Sequence, residues 1–194
     1  MHSSSLIHRS PTRAAGLIFA GLFGLLAGAG CSDDEAPRNV VTVTSINANG
    51  ALNSDIYNNG RDDVPGTLDD FVVEDEVEVR LTSDAHDDAL FLFPGMPFGS
   101  VVFDRYEVVF ESEEEIPTVR GALGWRVEAN SVFTGSLTIV PYGVKIQPPL
   151  SSLVNGGELQ ATAKITFFGV EQTSKDAVTA TAVLPVFFAN WGDL

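Results

Sequence analysis

The densest group of metal-ligating side chains lies in SDIYNNGRDDVPGTLDD, residues 54–70. Calcium takes six to eight oxygen atoms from carboxylates, amides and carbonyls, so this stretch is a candidate calcium loop of irregular form. The alternative is a solvated turn, because Asn-Gly and Pro-Gly are turn-forming pairs. The candidate calcium ligands are Asp55, Asn59, Asp62, Asp63, Asp69 and Asp70.

Side chains for nucleophilic or zinc chemistry are scarce after residue 30, where the sequence has one histidine, His86, and one cysteine, Cys31. A serine or cysteine nucleophile needs a neighbouring base, and zinc needs three or four nitrogen or sulfur ligands. His86 lies in the acidic stretch SDAHDDA, which is typical of a solvated surface residue. The sequence therefore predicts no catalytic residue and no enzyme activity. A hydrolase that uses a pair of carboxylates stays open as an alternative, because the chain has 26 Asp and Glu residues.

A second candidate binding feature is the apolar stretch ALFLFPGMPFGSVVF, residues 89–103. One interpretation is an exposed loop that binds a partner, because large exposed apolar patches mark interaction sites. The other is a connection between strands that crosses the top of the core. The residues concerned are Phe91, Phe93, Met96 and Phe98.

The elements that must position these residues are strands. In ELQATAKITFF, residues 158–168, apolar and polar residues alternate with the period of two expected of a half-buried strand. Residues 177–188 repeat this alternation after a polar loop, which predicts a hairpin, and Pro185 suggests a sheet edge or a bulge there. Further strands are predicted at residues 40–46, 76–82, 100–112 and 131–140, with weaker ones at 123–129 and 142–147.

Seven or eight short strands with turn residues between them predict an all-β, antiparallel sandwich. The strand count and the terminal hairpin resemble an immunoglobulin-like or fibronectin-III-like domain over roughly residues 40–190. The resemblance implies an immunoglobulin-like β-sandwich, although the Cys–Trp–Cys signature of antibody domains is absent. Trp125 is predicted to be a core residue rather than a platform for a ligand.

The charge of the chain restricts its partners. The formal net charge is -15, and both Arg9 and Arg13 precede Cys31, whereas no Asp or Glu does. The part that follows therefore has 9 basic and 26 acidic residues, a net charge of -17. Such a domain repels nucleic acid and anionic lipid, so neither is an expected partner by charge alone.

The first thirty residues have the form of a secretory signal. Residues 1–16 carry two arginines and no acid, and residues 17–30, LIFAGLFGLLAGAG, are uncharged and end in small residues. A membrane-spanning helix is the alternative, but it needs about 20 apolar residues. We therefore expect residues 1–30 to be a removed signal helix, residues 31–39 a polar tether and residues 40–194 the β-sandwich.

The residues around the cut site resemble the lipobox of bacterial lipoproteins. Ala29 and Gly30 match its two small positions, and Cys31 matches the cysteine that receives fatty chains. The resemblance implies cleavage before Cys31 and attachment to the bilayer, with Ser32 pointing to the outer membrane in a Gram-negative cell. The alternative is cleavage by ordinary signal peptidase after Ala29, since AGA, residues 27–29, has the A-x-A form.

Together these features predict an exported, lipid-anchored envelope protein with a non-catalytic β-sandwich that binds or scaffolds a partner. The expected partners are the lipid bilayer through Cys31 and an envelope protein or glycan. The alternative is a calcium-dependent adhesion or carbohydrate-binding module, with Ca²⁺ as its cofactor.

Overall fold

Eight strands account for most of the residues that the computed structural model describes, which are residues 39–58, 70–85 and 99–191. These residues all belong to one compact unit. A short helix, α1 (Tyr142–Lys145), and two 3-10 turns, Asn47–Asn49 and Leu150–Asn155, lie between strands. The strands are β1 (Asn39–Ile46), β2 (Leu52–Asp55), β3 (Asp75–Ala85), β4 (Val101–Ser112), β5 (Val119–Val127), β6 (Ser131–Val140), β7 (Glu158–Glu171) and β8 (Ala177–Ala189).

The strands form two sheets, ordered β1-β3-β6 and β2-β8-β7-β4-β5. When β1 and β3–β8 are lettered A, B, C, C′, E, F and G in chain order, the sheets read ABE and GFCC′, the immunoglobulin-like arrangement. The predicted all-β, immunoglobulin-like sandwich is therefore confirmed. One pair differs from the antiparallel expectation, because the short strand β2 pairs with β8 in parallel.

Aromatic side chains from the five-stranded sheet fill the space between the sheets. Phe103, Phe167 and Phe188 are fully buried, and the Phe103 and Phe167 rings meet edge to face with centroids 6.1 Å apart. Trp125 on β5 stacks on Phe167 at 5.6 Å and also contacts Phe133 of β6. The prediction that Trp125 packs in the core is confirmed.

The pairing of β8 explains how its proline is tolerated. Pro185 lies opposite Thr162 of β7, whereas the pairing with β2 begins only at Val186. The position is therefore a sheet edge on the β2 side, where a missing amide donor breaks no ladder hydrogen bond.

Three local predictions are corrected by the structure. Residues 142–147 form α1 and its continuation rather than a strand, because the amides of Val144 and Ile146 bond back to the carbonyls of Pro141 and Tyr142. The strand predicted at 123–129 begins earlier and ends at Val127. Asn39, placed at the end of the tether, is the buried first residue of β1.

Candidate functional site

The structure describes two of the predicted site residues, Asp55 and Asp70. The other predicted residues lie outside the described parts of the chain, so their geometry stays a prediction. They are Cys31, Asn59, Asp62, Asp63, Asp69, Phe91, Phe93, Met96 and Phe98. His86, which the sequence predicts to be a solvated surface residue, lies outside the described parts as well.

Asn58 and Phe71, which lie on either side of residues 59–70, are bonded to each other. The Asn58 amide donates to the Phe71 carbonyl at 2.9 Å, and the Phe71 amide donates back to the Asn58 carbonyl at 3.1 Å. Beside this bridge, the Tyr57 hydroxyl donates to Asp70 Oδ2 at 3.1 Å. Asp55 lies nearby at the end of β2, where its Oδ1 accepts the Trp191 amide at 3.1 Å. Within residues 39–58, 70–85 and 99–191, no group of three or more His, Cys, Asp or Glu side chains is placed to hold a metal ion.

A buried polar cluster adjoins this bridge. Lys145 of α1 is 1% exposed, and its Nζ donates to Asp75 Oδ2 at 2.9 Å and to the Asp55 carbonyl at 2.5 Å. Ser54 Oγ also donates to Asp75 Oδ2, at 2.5 Å. Burial raises the pKa of Asp75, while the Ser54 hydrogen bond and the Lys145 charge act in the opposite direction. The cluster joins β2 of one sheet to β3 of the other through α1.

The chemistry of this cluster is structural in the arrangement observed. A serine and a lysine can act as nucleophile and base only when the amine accepts the hydroxyl proton. Here the hydroxyl of Ser54 and the ammonium of Lys145 both donate to Asp75, and Ser54 is fully buried. We therefore assign the cluster to holding the two sheets together. The signal that could have revealed it is a lysine between the apolar residues Val144 and Ile146.

A groove of about 420 Å³ lies on the outer face of the five-stranded sheet, across β4, β5 and β7. We call it the arginine groove. Its lining residues are Arg105, Tyr106, Glu107, Arg120, Gly121, Ala122 and Phe168.

A β-bulge creates the arginine groove. The register of β4 shifts between Phe103 and Arg105 against both of its neighbours, so Asp104 and Arg105 are both exposed while Phe103 and Tyr106 are buried. Strict alternation from Phe103 would have turned Arg105 towards the core. A bulge re-aims side chains in this way, and here it delivers a guanidinium to the outer face.

Two arginines flank the groove on neighbouring strands. The Arg105 guanidinium lies 4.9 Å from the centroid of the Phe168 ring, a cation–π contact, and its Nη1 lies 3.2 Å from Asp104 Oδ1. Arg120 Nε donates to Glu107 Oε2 at 2.6 Å. Each guanidinium therefore uses one nitrogen in these ion pairs, and an arginine side chain has five N–H donors in all.

Small residues of β5 leave room between the arginines. Ala122 pairs with Arg105, so a methyl group stands where a larger side chain would fill the groove. Under the groove, a Cβ on Gly121 would overlap the Tyr106 ring, so that ring needs a glycine at 121. The Tyr106 hydroxyl donates to the Thr138 carbonyl of the other sheet at 2.9 Å, and this bond holds the Tyr106 ring in place under the groove.

The outer face of this sheet differs in charge from the rest of the domain. Arg105, Arg120, Arg126 and Lys164 are all exposed there. Asp104, Glu107 and Glu111 pair with three of them, and Arg126 lies 3.4 Å from Ser100 Oγ. The face is thus close to neutral on a chain of net charge -15, so it repels an anion less than other surfaces do.

An acidic depression of about 600 Å³ lies at the far end of the same sheet, around Glu111, Glu113 and Glu158. A carboxylate hydrolase needs one carboxyl group kept protonated in an apolar site. All three glutamates are exposed, and Glu111 pairs with Lys164 at 2.5 Å. This geometry does not favour the hydrolase alternative.

No protein-family profile and no curated protein sequence matches the chain. Among solved structures, a protein from Archaeoglobus fulgidus is similar with a TM-score of 0.36 and 11% identity, covering 61% of this chain and 89% of that one. A candidate late embryogenesis abundant (LEA) protein is similar with a TM-score of 0.42 and 9% identity, covering 81% of this chain and 75% of that one.

The described parts of the chain, residues 39–58, 70–85 and 99–191, contain no helix with the length and apolar composition needed to cross a membrane.

Proposed function

We propose that the protein is a lipid-anchored envelope protein whose β-sandwich binds a partner and does no chemistry. The observation that carries the binding role is the arginine groove, a concave, nearly neutral surface with two exposed guanidiniums on an acidic domain. The observation that supports the anchor is the position of Cys31, the one cysteine of the chain, directly after an apolar run that ends in small residues.

The anchor follows from simple physical chemistry. Each buried CH₂ of an acyl chain contributes about 0.8 kcal/mol, so two or more chains on Cys31 would hold the protein stably on a bilayer. β1 begins at Asn39, and the chain from Cys31 to Asn39 spans at most about 27 Å when fully extended. The domain would therefore stay close to the membrane surface, with a tether short enough to limit which partners reach it.

The non-catalytic role is supported by how the described polar groups are used. Ser54 and Lys145 are buried and bonded to Asp75, so no substrate can reach them. The arginine groove has cations and an aromatic ring but no serine, cysteine or histidine in its lining. Its composition suits recognition of a charged group rather than transfer of one.

Replacement of the anchoring residue tests the proposal. We expect Cys31→Ala to abolish the acylated mature form, so that any chain cut to mature length moves from the membrane fraction to the soluble fraction. The measurement is cell fractionation with immunoblotting. The matched control is Ser32→Asp, which should stay membrane-bound because Cys31 is intact. Membrane retention of mature-length Cys31→Ala at the level of the unmodified protein would contradict the proposal, whereas accumulation of the uncut precursor, recognised by its larger size, would support processing at Cys31.

A calcium-dependent adhesion or carbohydrate-binding module is a second candidate function. It is favoured by the Asn58–Phe71 bridge, which brings together the two residues that flank the acidic segment 59–70. Asp70 lies next to this bridge, where it accepts the Tyr57 hydroxyl. A ligand that binds the folded state raises the melting temperature.

We expect a calcium-binding loop to stabilise the fold by about 2.7 kcal/mol when calcium exceeds its Kd 100-fold, which corresponds to a rise of several degrees in Tm. The measurement is thermal melting in 10 mM calcium and then in chelator. Asp62→Asn with Asp63→Asn should abolish the rise, whereas Glu113→Gln with Glu114→Gln should not. An unchanged Tm in calcium would remove this candidate.

A further inference from the structure

We propose that the arginine groove is a binding site for small monocarboxylates with an apolar body. The inference rests on the binding role proposed above and names its ligand class. It combines three observations: two guanidiniums on one groove, an aromatic ring and a methyl group beside them, and a negatively charged domain around them.

The guanidiniums supply the recognition of a carboxylate. Glu107 occupies Nε of Arg120, which leaves the end-on fork of two Nη groups for a second acceptor. Arginine binds carboxylates through such forks with two parallel hydrogen bonds, and these charge-assisted bonds are stronger than neutral ones. Arg120 is 72% exposed, so a ligand can reach the fork without unfolding the strand.

Arg105 supplies the second cation in a pre-organised form. Its contact with Phe168 fixes the guanidinium over the ring, so less side-chain freedom is lost when a ligand binds. Its partner Asp104 is 59% exposed, and such surface ion pairs contribute little to stability because water screens them. A ligand carboxylate can therefore replace Asp104 at low cost.

The volume of the arginine groove sets the ligand size. The groove of about 420 Å³ falls within the range of small-molecule sites. Phe168 and Ala122 offer an apolar surface beside the cations, so a ligand needs a hydrocarbon or aromatic part next to its carboxylate. A free inorganic anion would leave that surface uncovered.

The charge of the domain selects against polyanions. With a net charge of -17 after Cys31, every additional negative charge on a ligand adds to the long-range repulsion. Two guanidiniums that already face Asp104 and Glu107 cannot compensate several phosphates. A single carboxylate is attracted by the two guanidiniums and, with only one negative charge, is repelled least by the rest of the domain.

Benzoate is the probe for this site, and benzamide is its neutral analogue of the same shape. The measurement is titration of the full mature chain in detergent. Binding is monitored by calorimetry and by the NMR chemical shifts of Phe168 and Ala122. We expect saturable benzoate binding that weakens with added salt, and at least about tenfold weaker binding of benzamide, because charge-assisted hydrogen bonds are lost.

Substitutions separate the groove from general charge effects. Arg105→Gln and Arg120→Gln should each weaken benzoate binding about tenfold, since each removes a charged donor set. Arg126→Gln is the matched control, because Arg126 is on the same strand and face but does not line the groove. It should leave the Kd within twofold, and Tm values should show that all three variants fold.

Equal binding of benzoate and benzamide, equal binding by Arg120→Gln, or no saturable benzoate binding below about 20 mM would each overturn this inference. The last result would leave the lipid anchor standing, because fractionation of Cys31→Ala tests the anchor independently. Conversely, benzoate binding with membrane retention of Cys31→Ala would keep the groove as a site and contradict the anchor.

Discussion

Lys145→Ala is expected to lower the free energy of unfolding by about 3–5 kcal/mol, because it leaves the Asp75 carboxylate buried without its cation. Asp75 is 13% exposed and accepts both Lys145 Nζ and Ser54 Oγ, so the carboxylate has no ready access to water. The Asp55 carbonyl would lose its ammonium donor as well. The measurement is urea unfolding of the purified protein.

Two further variants identify the cause of this loss. Lys164→Ala removes an ion pair of similar length with Glu111, but both side chains are more than half exposed, so we expect a change of about 0–1 kcal/mol. Lys145→Met with Asp75→Leu removes both buried charges, and it should recover much of the loss. A Lys145→Ala variant as stable as Lys164→Ala would show that the buried cluster does not hold the sheets together.

Gly169→Ala is expected to destabilise the protein by about 1–3 kcal/mol or more, through overpacking in the centre of the five-stranded sheet. A Cβ at Gly169 would lie 2.5 Å from the Val102 carbonyl oxygen and 2.9 Å from Phe103 Cα. Both atoms belong to the backbone of β4, so relief requires the two strands to separate. Phe103 is also the residue before the β-bulge that orients Arg105.

Gly124→Ala is the matched control for this substitution. Gly124 lies in β5 of the same sheet, and no atom lies within 4 Å of the position of its added Cβ. Removal of glycine flexibility should make this variant neutral or slightly more stable, by about 0.5 kcal/mol. The measurement is the midpoint of thermal or urea unfolding. Equal midpoints for the two variants would contradict this prediction, because they would mean that β4 moves away from a Cβ at Gly169 without loss of stability.

The sheets could be predicted because their strands alternate. In β7, Leu159, Ala161 and Ile165 face the core between polar neighbours, and the chemical contrast between the two faces is visible in the sequence. β2 escaped prediction because its four residues are too few to display alternation, and its place depends on pairing with β8. Residues 142–147 have strand-like composition, but local hydrogen bonds from Pro141 onward fold them into α1.

The candidate groove could not be predicted from the sequence. Its residues come from β4, β5 and β7, and the sequence does not state which positions pair across the sheet. The bulge at Asp104 also reverses the face expected for Arg105, so alternation alone places that side chain in the core. The buried Lys145 cluster depends likewise on contacts between residues that are far apart in the chain.

The mature amino terminus provides the most direct test of the lipid-anchored account. Mass spectrometry of the amino-terminal peptide, from protein extracted from its own membranes, measures both the cut site and the modification. The account predicts a peptide that begins at Cys31 and carries the mass of two or more acyl chains. A peptide that begins at Gly30 with an unmodified Cys31 thiol would contradict it, because cleavage would then follow Ala29 and leave no anchor.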